Sequence, residues 1–321
     1  PLATTTGNGV HVSTGPLEVD LLNGKNQLFG EVWLHGEPCL KTFGPEHVLI
    51  LEDGTGRWPC RLEGWRLDLE QASPARAVVK GTGHFLDREG ERAAKLEVRY
   101  RFFRDECFVR ITHTLTWMVK DTQVGAREWS LRLSPDVGRA STVRVGLSDY
   151  GSQSHEAPLG TGGRVAAIQA AADRFSLAVD GRDVASGEHL GGWIALQNVY
   201  GRGVGISLRH AWQMFPTAFT VRDRQLGIQL WPPDAGRMGF GPQDLMPEDF
   251  YNRSTEWNRY NWIDGEGHYI HEYSKNPYFL HTAEGAARTH ELTVFFYDAS
   301  SRRSIPELNS VTQHPVVIRQ D

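Results

Sequence analysis

Between Asp244 and Arg288 the chain gathers the side chains that acid–base chemistry on an anionic substrate requires. Arg253, Arg259, Asn258 and Asn261 suit the neutralisation of a carboxylate, while Tyr260, Tyr269, His268, His271, Lys275 and His281 suit proton removal and proton return. Apolar and polar residues cease to alternate here, and Phe250, Tyr251, Trp257, Trp262, Tyr273 and Phe279 are interleaved with the polar groups. So long a loop between strands is a functional element or a docking surface, and the two would share this composition. Tyr260 and His268 are the candidates for proton transfer, and Arg253, Trp262 and His271 for holding substrate.

A second set lies upstream. Val204, Ile206, Leu208, His210 and Trp212 alternate with Gly205, Ser207, Arg209, Ala211 and Gln213, which gives a strand one apolar face and one small polar face. A small polar sheet face is a floor on which a sugar can lie. Arg209 and Gln213 are its binding candidates, and Trp212 and Trp231 are aromatic platforms or core residues. His210 and His290 are candidate bases, though each shares its face with large apolar residues, as a core histidine would. Burial would keep an imidazole neutral, and so able to accept a proton at neutral pH. His113, between Ile111 and Leu115, reads as interior, and Glu291 as a solvated strand residue beside Thr289 and Thr293.

Other chemistries find less support. His268-Tyr269-Ile270-His271-Glu272 places two histidines three apart, but the order is not HExxH, and Gly265 and Gly267 precede it. No cofactor is expected, and calcium held by scattered carboxylates would leave no pattern. Dinucleotide, P-loop and nucleophile-elbow motifs are missing from the sequence. Cys39, Cys60 and Cys107 are far apart, leaving one disulfide or free thiols equally open.

The elements that must position these groups are strands. Leu17, Val19 and Leu21 alternate with Glu18 and Asp20, and Leu96, Val98, Tyr100 and Phe102 with Glu97, Arg99 and Arg101. The same period runs through Val109 to Trp117, Trp129 to Leu133 and Leu226 to Leu230, with turn signals such as Asp53-Gly54 and Asp180-Gly181 between runs. Helical pattern is confined to 164–174 and to the residues after Met246. The pattern predicts an all-β, large antiparallel sandwich over residues 1–299, and a linker or tail over 300–321. Ten Trp, nine Tyr and fourteen Phe in 321 residues suit sugar stacking or a large sandwich core. The formal net charge of -5 argues against nucleic acid as a partner. No apolar run in the sequence approaches the length of a membrane-spanning helix.

Four stretches together resemble one family. Gly192-Trp193-Ile194-Ala195-Leu196, the run from Gly203 to Pro216, Leu230-Trp231-Pro232 and the run from Gly285 to Leu292 resemble the central β-sandwich domain of exo-acting rhamnogalacturonan lyases. The resemblance implies a galactose-mutarotase-like supersandwich, beginning here at its first strands and leading towards an α/α toroid, as a further domain or subunit. It implies an acidic polysaccharide or oligosaccharide as ligand, outside the cell or in the periplasm, and β-elimination as the reaction. Elimination requires the uronate carboxylate to be neutralised, the C5 proton removed and the departing oxygen protonated. A noncatalytic binding or scaffold domain that needs a helical partner is the alternative, as is a glycoside hydrolase or sugar epimerase on the same sandwich.

Overall fold

The structure is a computed structural model that describes residues 1–41, 44–121, 123–138, 141–148, 153–160, 162–239, 283–301 and 304–313. Tyr260, His268, Arg253, Trp262 and His271 all lie outside the described residues. So does the helix expected after Met246.

Alternation drives the architecture. Wherever apolar residues recur every second position, one strand face leaves water and the other stays wet. The first five strands, β1 (Ala3–Thr6), β2 (Gly9–Ser13), β3 (Leu17–Leu22), β4 (Val32–Leu34) and β5 (Glu37–Pro38), form a small sheet of their own. This corrects the expectation that the chain opens on strands of the sandwich itself.

A second sheet has eight strands. In spatial order they are β17 (Arg182–Gly187), β16 (Arg174–Val179), β15 (Arg164–Ala171), β20 (Thr217–Arg222), β21 (Gln225–Trp231), β12 (Gly125–Leu133), β6 (His47–Asp53) and β7 (Gly56–Pro59). The third sheet has nine. It runs β14 (Ser154–Leu159), β13 (Ser141–Gly146), β18 (Trp193–Asn198), β19 (Gly203–Leu208), β22 (Ala287–Tyr297), β11 (Phe108–Trp117), β10 (Arg92–Phe103), β9 (Arg76–Leu86) and β8 (Arg61–Ala72). All of these pairings are antiparallel, so the all-β sandwich read from the sequence is the fold.

The core lies between the two large sheets. Leu96, Val98 and Tyr100 of β10, Ile111 of β11, and Leu292, Val294 and Phe296 of β22 face Leu49 and Leu51 of β6, Leu131 of β12 and Ile228 of β21 within one apolar cluster. Burying each such side chain fully is worth about 1.5–3 kcal/mol. The small sheet closes one end, where Phe29 contacts Tyr100 and Phe296 at ring centroid distances of 6.0 and 5.8 Å.

Two local expectations are corrected. Residues 164–174 are no helix: Val165, Ala167 and Gln169 are buried at period two along β15. The strand through Val204 does not reach Trp212 but stops at Leu208, and both of its faces are buried. Its outward face is covered because Phe295 lies over Gly205 on the neighbouring strand, where a Cβ would sit 2.1 Å from the ring.

Residues 304–313, expected within a tail, include the helix α1 (Ile305–Gln313). Ser304 and Glu307 form a capping box, with Ser304 Oγ and backbone nitrogen both bonded to Glu307 Oε2, at 2.8 and 2.6 Å. Ile305 and Leu308 pack on Trp193, Phe295 and Tyr297, and Ser207 Oγ donates to Asn309 Oδ1 at 2.6 Å. The outer face of the nine-stranded sheet is thus covered at β18 and β19. Cys39, Cys60 and Cys107 form no disulfide, and burial pushes the Cys60 thiol up to about 12. Among the described residues no helix is long and apolar enough to cross a membrane.

Candidate functional site

Beside α1 the outer face of the nine-stranded sheet stays open along β10, β11 and β22. Register decides what stands there. Arg101 of β10 pairs directly with Arg110 of β11, Arg110 with Thr293 of β22, and Thr112 with Glu291. Like charges directly opposite one another destabilise a sheet, so the Arg101–Arg110 pair is a cost that an anionic ligand would offset.

These side chains line a groove of about 180 Å³ with Thr312 of α1 at its rim. Arg209, one residue beyond β19, joins them: its backbone nitrogen donates to Glu291 O at 2.9 Å, and its guanidinium to Glu291 Oε2 at 2.7 Å. Arg101 donates to Thr112 Oγ1 at 2.6 Å, and the Thr114 and Thr289 hydroxyls meet at 2.9 Å further along the same face. The Arg110 guanidinium lies 5.7 and 5.9 Å from the ring centroids of Phe103 and Phe108.

Burial holds the Arg110 pKa below its usual value; Glu291 and Glu106 oppose the shift, while Arg101 and Arg209 add to it. Arginine nevertheless stays protonated near neutrality. The groove therefore holds the guanidinium groups of Arg101 and Arg110, with Arg209 beside Glu291, while the carboxylates of Glu291 and Glu106 act on Arg110 and threonine hydroxyls lie among them. Guanidinium forks match carboxylates geometrically, so the arrangement can hold and neutralise a carboxylate on a hydroxyl-bearing ligand. Moving a proton requires a group of another kind.

The remaining candidates disperse. His210 is exposed in the turn after β19, at φ 57°, and its backbone nitrogen donates to Gln313 Oε1 at 3.1 Å. Gln213 is exposed in the same turn, and Trp212 stacks on His189 at a centroid distance of 4.0 Å. Trp231 ends β21 on the opposite sheet, its Nε1 bonded to Gly236 O at 3.0 Å. His290 is 1% exposed, on the core side of β22.

His290 belongs to a different cluster. It pairs across the strands with His113, whose Nε2 lies 3.3 Å from His47 Nδ1, and the Trp129 ring packs edge-on to His290 at 4.7 Å. Burial drives the pKa of His47 and of His290 down to about 3, and that of His113 well below its ordinary value. The three rings are neutral base-type groups enclosed in the core. No group of His, Cys, Asp and Glu among the described residues is arranged to hold a metal ion.

Arg101, Arg110, Thr112 and Thr293 were not singled out from the sequence. Alternation places each on a polar strand face, but the pairing that sets the two arginines side by side follows from the length of the turn between Phe103 and Phe108. Of the aromatic surplus, Trp65, Trp117, Trp129 and Trp193 are core.

Neither a family model nor a curated protein matches the chain. Among solved structures it is similar to a glycosyl hydrolase family 38 protein from Enterococcus faecalis, at 10% identity and a TM-score of 0.50, over 92% of this chain and 31% of that one. An α-mannosidase from Enterococcus faecalis V583 gives 10% identity and 0.50, over 92% and 30%. A putative aldose 1-epimerase from Escherichia coli K12 gives 9% identity and 0.42, over 90% and 98%. The chain spans 31% and 30% of the first two proteins' lengths. At 10% identity the likeness to the first two shows the fold alone, a large antiparallel sandwich.

Proposed function

We propose that the chain is the sandwich unit of a larger carbohydrate-processing protein and holds an acidic polysaccharide against the outer face of its nine-stranded sheet. The observation that carries this reading is the convergence of Arg101, Arg110 and Arg209 on an open face among threonine hydroxyls. The family 38 glycosyl hydrolase and α-mannosidase whose structures share the fold support the carbohydrate class. A guanidinium cluster supports a uronate over a neutral sugar, since charge-assisted hydrogen bonds are worth about 1.5–3 kcal/mol each.

The elimination reading adds a step. A carboxylate neutralised by these arginines would acidify the neighbouring C5 proton, as the resemblance to exo-acting rhamnogalacturonan lyases implies. Its proton-transfer groups, Tyr260 and His268, belong to the segment outside the described residues. Binding without catalysis, completed by a helical partner, demands only the groove.

Calorimetric titration of the full chain with polygalacturonate, rhamnogalacturonan and neutral mannan tests the proposal. Uronate polymers are expected to bind at least about tenfold more tightly than mannan, the equivalent of one charge-assisted bond. Equal affinity for all three would overturn the acidic reading. Absorbance from a new conjugated double bond during incubation would add elimination to binding.

A further inference from the structure

A cleft of about 530 Å³ opens where three segments meet: residues 25–27 between β3 and β4, residues 44–45 before β6, and residues 59–62 at the corner from β7 to β8. Hydrogen bonds fix each side of it. Asn23 Oδ1 accepts the Leu67 backbone nitrogen at 2.8 Å, and the Gly24 nitrogen donates to Trp65 O at 2.9 Å. The Asn26 amide exchanges two bonds of 3.0 Å with the backbone of His47, and the Cys60 nitrogen donates to Leu49 O at 2.8 Å. The cleft is therefore preformed, and its volume lies within the range of small-ligand pockets, about 300–1,000 Å³.

Its walls are largely apolar. Pro45 and Pro59 bring flat rings and no backbone N–H, and Cys60 and Leu62 pack against the core cluster. Burial pushes the Cys60 thiol up to about 12, with the charge of Asp87 adding to the shift, as befits a thiol among apolar surfaces. Sugar hydroxyls laid on such walls would give up water without a replacement bond, so the cleft suits a different ligand from the groove. The charged residues that line it are both cations. Arg61 is held by Glu63 at 2.7 Å, whereas Lys25 has no carboxylate partner among the described residues. Gln27 adds an amide, while that of Asn26 is committed to His47.

We propose that this cleft is a binding site for an aromatic acid, whose ring lies against Pro45, Pro59 and Leu62 and whose carboxylate or sulfonate meets the Lys25 ammonium. The inference stands apart from the polysaccharide reading, since no residue of the cleft lines the groove.

Fluorescence titration of the full chain with anilinonaphthalene sulfonate, and with its uncharged counterpart phenylnaphthylamine, separates the walls from the charge. The unaltered chain is expected to bind both probes. Lys25→Ala, at an exposed position, should weaken the sulfonate about twofold to fivefold, the range of an exposed ion pair, and leave the amine unchanged. Pro45→Trp fills the cleft and should weaken both at least about tenfold, the scale of burying one apolar side chain. Should that variant fail to fold, the two probes on Lys25→Ala still decide. Absence of binding by the unaltered chain, or a Lys25→Ala variant that loses both probes equally or neither, would overturn the site. Unchanged binding in a folded Pro45→Trp variant would overturn it too. Saturating polygalacturonate should leave both titrations as they are; displacement of the sulfonate would place the anion in the groove and overturn the cleft as its site.

Discussion

His290 and Glu291 are neighbours in sequence and stand on opposite faces of β22. Glu291 pairs with Arg209 in an open groove, and it is 55% exposed. His290 is enclosed with His113, His47 and Trp129, and neither of its ring nitrogens has a hydrogen-bond partner; nor do His47 Nε2, His113 Nδ1 and Trp129 Nε1. The outer groups are charged because water and one another solvate them. The inner ones are neutral because no medium of high dielectric reaches them. A titratable group's chemistry is thus set by the parity of its position in the strand, and the two faces should respond to different perturbations.

The largest response is expected from the inner face on acidification. His47 and His290 have pKa values lowered from 6.5 to about 3, and His113 is lowered too. As pH falls below 6.5 the unfolded chain takes up protons that the folded chain refuses, so stability is lost between pH 6.5 and about 3. Each histidine contributes up to about 1.4 kcal/mol per pH unit in that window. Buried Glu46 acts in the opposite sense. Its pKa is raised from 4.5 to about 8, chiefly by burial, so the folded chain retains a proton that the unfolded chain releases, and stability falls as pH rises from 4.5 to about 8. Urea unfolding across this range should show maximal stability near pH 6.5. In Glu46→Gln the alkaline limb should flatten. A stability that stayed level from pH 6.5 to 4 would contradict the neutral, enclosed state of the three imidazoles.

The outer face should answer in affinity instead. Arg101→Ala combined with Arg110→Ala removes two guanidinium groups from the groove and relieves a like-charge pair. At about 1.5–3 kcal/mol for each charge-assisted bond, uronate-polymer affinity should fall by at least about 100-fold, with stability held within about 1 kcal/mol. Calorimetric titration and urea unfolding of the same sample measure both. Loss of stability without loss of affinity would assign the pair to the fold and not to a ligand.

Strand parity was legible in the sequence, and with it the sandwich; partner and register were not. The alternation from Leu96 to Phe102 places Arg101 on the wet face, yet only the turn at residues 104–107 brings Arg110 opposite it. Alternation also overran its own evidence at His210, where β19 has already made its last pair, Leu208 with Leu292, and the backbone turns left-handed at φ 57°. The helix expected at 164–174 failed because its alanines mimic helical composition while burial follows period two. The capping box at Ser304 and Glu307 was present in the sequence as a signal for α1. Glu291 was set aside and His290 chosen because an apolar face resembles a site as readily as a core.

The smallest effect expected separates those two neighbours most directly. Glu291→Gln removes the carboxylate that lines the groove, frees Arg209 for a ligand and breaks a surface ion pair worth about 0–1 kcal/mol. Uronate affinity should therefore rise, by about twofold to fivefold on that scale, while the unfolding midpoint hardly moves. His290→Gln, one residue away, should do the reverse: replacing a buried ring leaves a cavity and an enclosed amide, costing about 1–3 kcal/mol of stability with affinity unchanged. If Glu291→Gln weakened binding, Glu291 would have to accept sugar hydroxyls itself, and the groove would be a mixed subsite instead of a carboxylate clamp. If His290→Gln weakened binding in a chain that remained folded at the assay temperature, the enclosed histidines would have to communicate with the outer face through β22, and parity alone would no longer divide the two roles.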